Sequence, residues 1–182
     1  MFPKVTSREK ILECAERIVL RDGVTRLTLD AVAAEAGMSK GGLLYHFRSK
    51  DDLVRGMIDR LIDLFEAEMQ KLMTADPDSV GRAARAYLRL SFPEPASSFE
   101  HHKQVSAALL AAIFNNAALL EPLRQRFQIV QERLMNDGLD PVRVNFIRIA
   151  ADGLWMADVL GIPGPDENSR AAVVQKLYEM TK

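Results

Sequence analysis

Apolar residues return at every third or fourth position along almost the whole of this 182-residue chain, and no stretch shows β-branched alternation of period two. That spacing places the apolar side chains of a segment on one face of a helix and leaves no half-buried strand to form. Ala, Leu, Arg, Glu and Met dominate, and these residues lose little on entering a helix. The chain is therefore expected to be all-α. Its length suffices for one core-bearing domain, or for a small module joined to a larger one.

Caps and breakers set the boundaries. Thr6, with Glu9 three residues on, makes a capping box for a first helix that Asp22-Gly23 ends. Thr28 caps a second helix, broken at Gly37, and Ser39 caps a short third one ending near Phe47. Ser49 with Asp52 opens a long fourth helix, where Leu53, Met57, Leu61, Leu64, Phe65, Met69 and Leu72 form one stripe. From Ser49 to Met73 it spans about 37 Å. A fifth helix is expected from Ser79 to Ser91, a sixth from Ser98 to Asn115, and a seventh from Asn116 to Asn136 with a bend near Pro122. Asp140-Pro141 opens an eighth, which runs to Leu160, and a ninth covers Glu167 to Met180.

Several function classes drop out. The net charge is −1, so any nucleic-acid contact must come from a local patch. The longest apolar run, Val105 to Phe114, is too short to span a membrane, and the first ten residues carry no secretory apolar segment. The single cysteine, Cys14, lies on an apolar stripe and reads as a buried thiol in a reducing compartment. A cytoplasmic protein without membrane contact is expected. No nucleophile elbow, paired zinc motif or phosphate loop occurs, so no enzyme activity, cofactor or metal is expected. His101 and His102 are adjacent and diverge by about 100° on a helix, which does not suit chelation.

The segment from Ala31 to Phe47 carries the sharpest pattern. Ala33 permits a close helix crossing, Gly37 four residues later supplies the positive φ of a tight turn, and Leu43 packs the next helix back. This is the arrangement of a helix-turn-helix, whose second helix presents its N-terminal end to the major groove. From Ala36 to Lys50 there is no acid, while Lys40, Arg48 and Lys50 are basic. The first 60 residues hold 11 basic and 9 acidic side chains, and the remaining 122 hold 13 and 16.

The run from Thr28 to Leu53, with Tyr45-His46-Phe47-x-Ser49-Lys50 within it, resembles the DNA-binding signature of TetR-family regulators over roughly residues 7 to 55. The resemblance implies a homodimer, nine helices per subunit and an effector pocket in the C-terminal domain. The expected division is a helix-turn-helix domain over 1–50 and a helical effector-binding and dimerisation domain over 51–182. Thr28 is expected to offer its hydroxyl and helix amides to a phosphate. Ser39 and Lys40 open the recognition helix. Tyr45 and His46 are expected against the phosphate backbone, as similar residues are in the family, and Lys50 is a further phosphate contact. Gly41 and Gly42 weaken the helix by about 1 kcal/mol each against Ala, which suggests that they let the backbone approach DNA.

In the larger domain Phe65, Met69, Leu88, Phe92, Phe114, Phe127, Asp152 and Trp155 are candidates for the pocket lining. Asp152 lies on one helix face with Trp155; it could receive a lipophilic cation, or pair with Arg148 four residues earlier. The eighth helix is apolar nearly all round, which calls for burial on two sides. Phe146 and Ile149, with Val173 and Leu177 of the last helix, are the expected dimer interface. The expected function is a ligand-responsive transcriptional regulator, a repressor that binds a pseudopalindromic operator of double-stranded DNA and is released by a small, largely apolar effector. The alternatives are an activator of the same fold, or a helical small-molecule-binding protein without active DNA binding.

Overall fold

The computed structural model describes residues 6–94 and 97–182, without the side chains of Ser98, Ala111, Phe114, Asn115 and Ala117. Among the described residues there are nine α-helices: α1 (Ser7–Asp22), α2 (Leu29–Ala36), α3 (Lys40–His46), α4 (Lys50–Ala75), α5 (Arg82–Ser91), α6 (Ser98–Asn115), α7 (Leu120–Met135), α8 (Pro141–Leu160) and α9 (Glu167–Glu179). Two single 3-10 turns, Val24–Arg26 and Ala117–Leu119, complete them, and no described residue is in a strand. The chain forms two compact units. One takes in the residues up to Asp63 and Glu100–Gln125, the other Leu64–Phe99 and Arg126–Lys182.

In the first unit α1 begins as the capping box requires. The Glu9 N–H donates to the Thr6 hydroxyl and the Thr6 N–H donates to the Glu9 carboxylate, both at 3.2 Å. The buried face of α1 (Ile11, Leu12, Cys14, Ile18) meets Leu27, Leu43, Leu53, Met57 and Leu109 in one core. Glu16 is buried within this apolar setting. Burying a carboxylate is costly unless it is paired, and Arg60 on α4 donates to it at 3.0 Å while the His101 Nε2 lies 3.4 Å away. His101 thus lies beside this buried pair, and the described residues hold no group of His, Cys, Asp and Glu suited to a metal.

The second unit is built on Met69, Leu88, Leu134, Val144, Ile147 and Leu177. Here the sequence expectation is off by one turn, for α5 begins at Arg82 rather than Ser79. Gly81 precedes it at φ 76°. A methyl group on Gly81 would fall 2.1 Å from the Thr181 carbonyl oxygen, so only glycine fits. The helix has no local cap. Instead the buried Asp137 carboxylate, from the turn between α7 and α8, accepts from the Ala83 and Ala84 N–H groups at 2.9 Å each. Arg85 then fastens the preceding loop, pairing with Asp76 at 2.7 Å and donating to the Thr181 carbonyl at 3.0 Å. No helix among the described residues is long and apolar enough to cross a membrane.

Candidate nucleic-acid interface

The short helices α2 and α3 are held by their ends. Thr28 caps α2, its hydroxyl accepting from the Ala31 N–H at 3.1 Å. Gly37 closes α2 in the left-handed region at φ 64°, and the Met38 N–H donates to the Ala33 carbonyl at 3.0 Å. That closure consumes carbonyls that would otherwise be unpaired and redirects the chain within two residues. Ser39 caps α3, accepting from the Gly42 N–H at 3.1 Å. Leu43 is fully buried, so α3 lies on the core by one side and turns the rest outward.

Phe47, just past α3, decides how firmly that helix is held. Its ring packs against Gly56 on α4, where a methyl group would come within 2.6 Å of the ring, and the Arg8 guanidinium stacks on it at 5.3 Å. Sequence reasoning missed Gly56. A glycine inside a long helix was the available sign, since it costs about 1 kcal/mol and asks for a packing reason.

The sequence-derived contact residues all fall in this first unit. Thr28, Ser39, Lys40, Gly41, Gly42, Tyr45 and Lys50 are exposed, and His46 is half-buried with its ring edge-on to Tyr45 at 5.2 Å. Tyr45 is 86% exposed, an unusual position for a large aromatic ring. Lys40 pairs with Asp30 at 2.9 Å, both side chains well exposed. Lys50 donates to the Val24 carbonyl at 3.0 Å. The two ammonium groups are thus held at residues that flank Thr28 in the chain. Exposed pairs of this kind are worth little and are readily exchanged for a phosphate.

The residues proposed for an effector separate by environment. Met69 and Leu88 are fully buried, whereas Phe65, Phe92 and Trp155 are half-buried and Phe127 is exposed beneath the Arg148 guanidinium. The Phe114 side chain lies outside the described residues. Asp152 accepts from the Tyr87 hydroxyl and pairs with Arg148 at 3.5 Å. Burial, followed by the Asp152 charge, holds the Tyr87 hydroxyl well above its ordinary range, so it donates as a neutral phenol. Of the interface candidates, Phe146 and Ile149 are 63% and 70% exposed, Val173 is half-buried, and Leu177 is packed inside its own subunit.

Residues 11–57 match the family model of bacterial regulatory proteins of the tetR family. Residues 81–182, more than half of the chain, match the tetracyclin repressor-like C-terminal domain. The chain belongs to the TetR family. TetR-family membership makes it a transcriptional regulator carrying a helix-turn-helix, not an enzyme. Among its relatives, the nucleoid occlusion factor SlmA of Shewanella frigidimarina is 26% identical over 172 residues, covering 83% of this chain and 82% of that protein. The SlmA of Shewanella sediminis is 32% identical, but the match spans only 41% of its length. A solved transcriptional regulator from Rhodococcus sp. Rha1 superposes with a TM-score of 0.74 at 22% identity, covering 96% of both chains. The multidrug binding protein EbrR complexed with malachite green does so with a TM-score of 0.69 at 21% identity, covering 96% of this chain and 98% of its own. Both likenesses establish the TetR fold.

Proposed function

We propose that this protein is a cytoplasmic repressor that binds a pseudopalindromic operator as a homodimer and leaves it when a small, largely apolar effector binds. The DNA-reading part is residues 1–50, and residues 51–182 bind the effector and the second subunit. The observation that carries the reading is the outward-facing side of α3, where Tyr45 is almost wholly exposed beside two glycines that no neighbour crowds. A helix presented in this way can enter the major groove by its N-terminal end, with Ser39 and Lys40 leading. Thr28, Tyr45, His46 and Lys50 contact phosphates there and position the helix, while sequence-dependent DNA shape assists a readout that rests on few side chains. EbrR, a protein of this fold, binds malachite green, which supports a small-molecule role for the larger domain.

Binding of the purified protein to its own upstream DNA across a salt series tests this. We expect saturable binding that weakens steeply with salt, and Lys50→Ala to lower the salt slope by about 1. Tyr45→Ala should weaken binding while leaving thermal stability unchanged. Affinity unchanged in both variants would overturn the assignment of this face. The similarity to a nucleoid occlusion factor over 83% of this chain supports a second reading, in which the protein acts at many sites of the nucleoid rather than at one promoter. A genome-wide footprint with many dispersed sites would support it, and a few promoter sites would support the repressor.

A further inference from the structure

The second unit holds an imbalance of buried charge. Arg126 on α7 is only 6% exposed. Its Nη1 pairs with Glu66 on α4, and its Nη2 has no hydrogen-bond partner among the described residues. Arg133, also on α7, donates to the same Glu66 carboxylate at 3.0 Å. Two guanidinium groups therefore share one carboxylate. The next acid along the cluster, Asp152, is occupied by Tyr87 and Arg148. The sum of these groups is one positive charge in excess, in surroundings where an uncompensated charge is expensive.

The surroundings are aromatic. The Arg126 guanidinium lies 4.4 Å from the centre of the Phe65 ring. Phe65 in turn meets Tyr87 at 6.3 Å and Phe99 at 5.9 Å, and Phe65 and Phe99 are both only half-buried. Burial, and next the charge of Arg133, push the Arg126 guanidinium down to about 10, so it stays cationic at neutral pH. Binding sites for small molecules combine mostly apolar walls with a few fixed polar groups. Here the apolar neighbours are aromatic and the fixed group is a guanidinium with an unused donor.

We infer that the effector is an amphipathic carboxylate, its anionic head taken by Arg126 and its apolar body laid against Phe65, Tyr87 and Phe99. This rests on the effector-responsive reading above and gives its ligand a chemical class. A guanidinium donates to a carboxylate in a charge-assisted bond that a hydroxyl cannot match and an ammonium ion opposes. The same balance disfavours a lipophilic cation, since both carboxylates of the cluster already have basic partners.

The test titrates the full-length protein with the straight-chain carboxylates from hexanoate to dodecanoate, and with the alcohols and ammonium ions of the same lengths. Binding is read by calorimetry and by the rise in thermal midpoint, and function by release of the upstream DNA fragment. We expect carboxylates to bind at least about tenfold more tightly than alcohols of equal length, ammonium ions to be weakest, and carboxylates alone to release DNA. Arg126→Leu leaves Glu66 paired with Arg133, and should lose the preference for carboxylates while retaining binding of the alcohols. Arg126→Lys should keep part of the preference. Alcohols or ammonium ions binding and releasing DNA in place of carboxylates would overturn the carboxylate assignment and leave the effector reading standing. Undiminished carboxylate binding in Arg126→Leu would overturn it as well. No binding in any series would overturn the carboxylate assignment alone, since the effector reading commits to no head group or chain length.

Discussion

A methyl group added at Gly41 would touch nothing within 4 Å, and one at Gly42 would meet only the Ser39 hydroxyl at 3.4 Å. Nothing inside the subunit asks for glycine at either place, although alanine would strengthen the helix by about 1 kcal/mol at each. The proposed reading places the demand outside the subunit, in a DNA backbone that approaches the helix too closely for side chains. The double variant Gly41→Ala, Gly42→Ala is expected to unfold at a higher temperature and to bind its operator at least several-fold more weakly. Unchanged operator affinity in a titration would remove the close-approach explanation. Gly56 makes the opposite case. Its substitution by Ala forces the Phe47 ring aside, which overpacks the core at a cost of about 1–3 kcal/mol in equilibrium unfolding. Gly41 and Gly42 were legible because they interrupt a short helix that the flanking motif had already located. Gly56 was not, because its partner Phe47 lies nine residues back through a turn that brings the two together only in the fold.

Helix ends show the same division between local and distant causes. Thr6, Thr28, Ser39, Asp140 and Asp166 each cap the helix that follows, accepting an N–H from three residues ahead. Such spacing can be read directly from a sequence, and it located α1, α2, α3 and α4, while Asp140-Pro141, with Pro at the first helical position, located α8. The start of α5 could not be read this way, since Asp137 is more than fifty residues from the N–H groups it accepts from. The loop before α5 also gives a pH dependence. Hydrogen bonding to Arg85 holds the Asp76 carboxyl below the usual carboxylate range. Its favourable contribution is therefore complete above the unfolded value of about 3.9 and is lost as pH falls through the depressed folded value. Asp76→Asn should lower the urea midpoint at neutral pH and flatten the loss of stability on acidification below about pH 4. A variant whose acid limb matches the parent would show that Asp76 does not carry it.

At the scale of the whole molecule the proposed homodimer turns on α8. Its apolar character on nearly every side was plain in the sequence, but which side faces outward was not. The helix periodicity alone cannot distinguish Leu177, sealed within the subunit, from Ile149, which stands exposed. Val142, Phe146 and Ile149 are all more than half exposed and recur every three or four residues, so they make one uncovered stripe. Ile149→Glu is expected to convert a dimer to a monomer in analytical ultracentrifugation and to abolish operator binding while leaving each subunit folded. A dimer that persists would move the interface elsewhere. The Asp137 cap has a last consequence, for the order of events on the ribosome. A nascent chain makes α5 some fifty residues before the carboxylate that closes it, and at about 5–20 residues per second that interval is roughly 3–11 s. Through that time α5 has two open amides and its apolar face has no α8 to cover it, so the second unit is completed late in translation, after the helix-turn-helix has already been made.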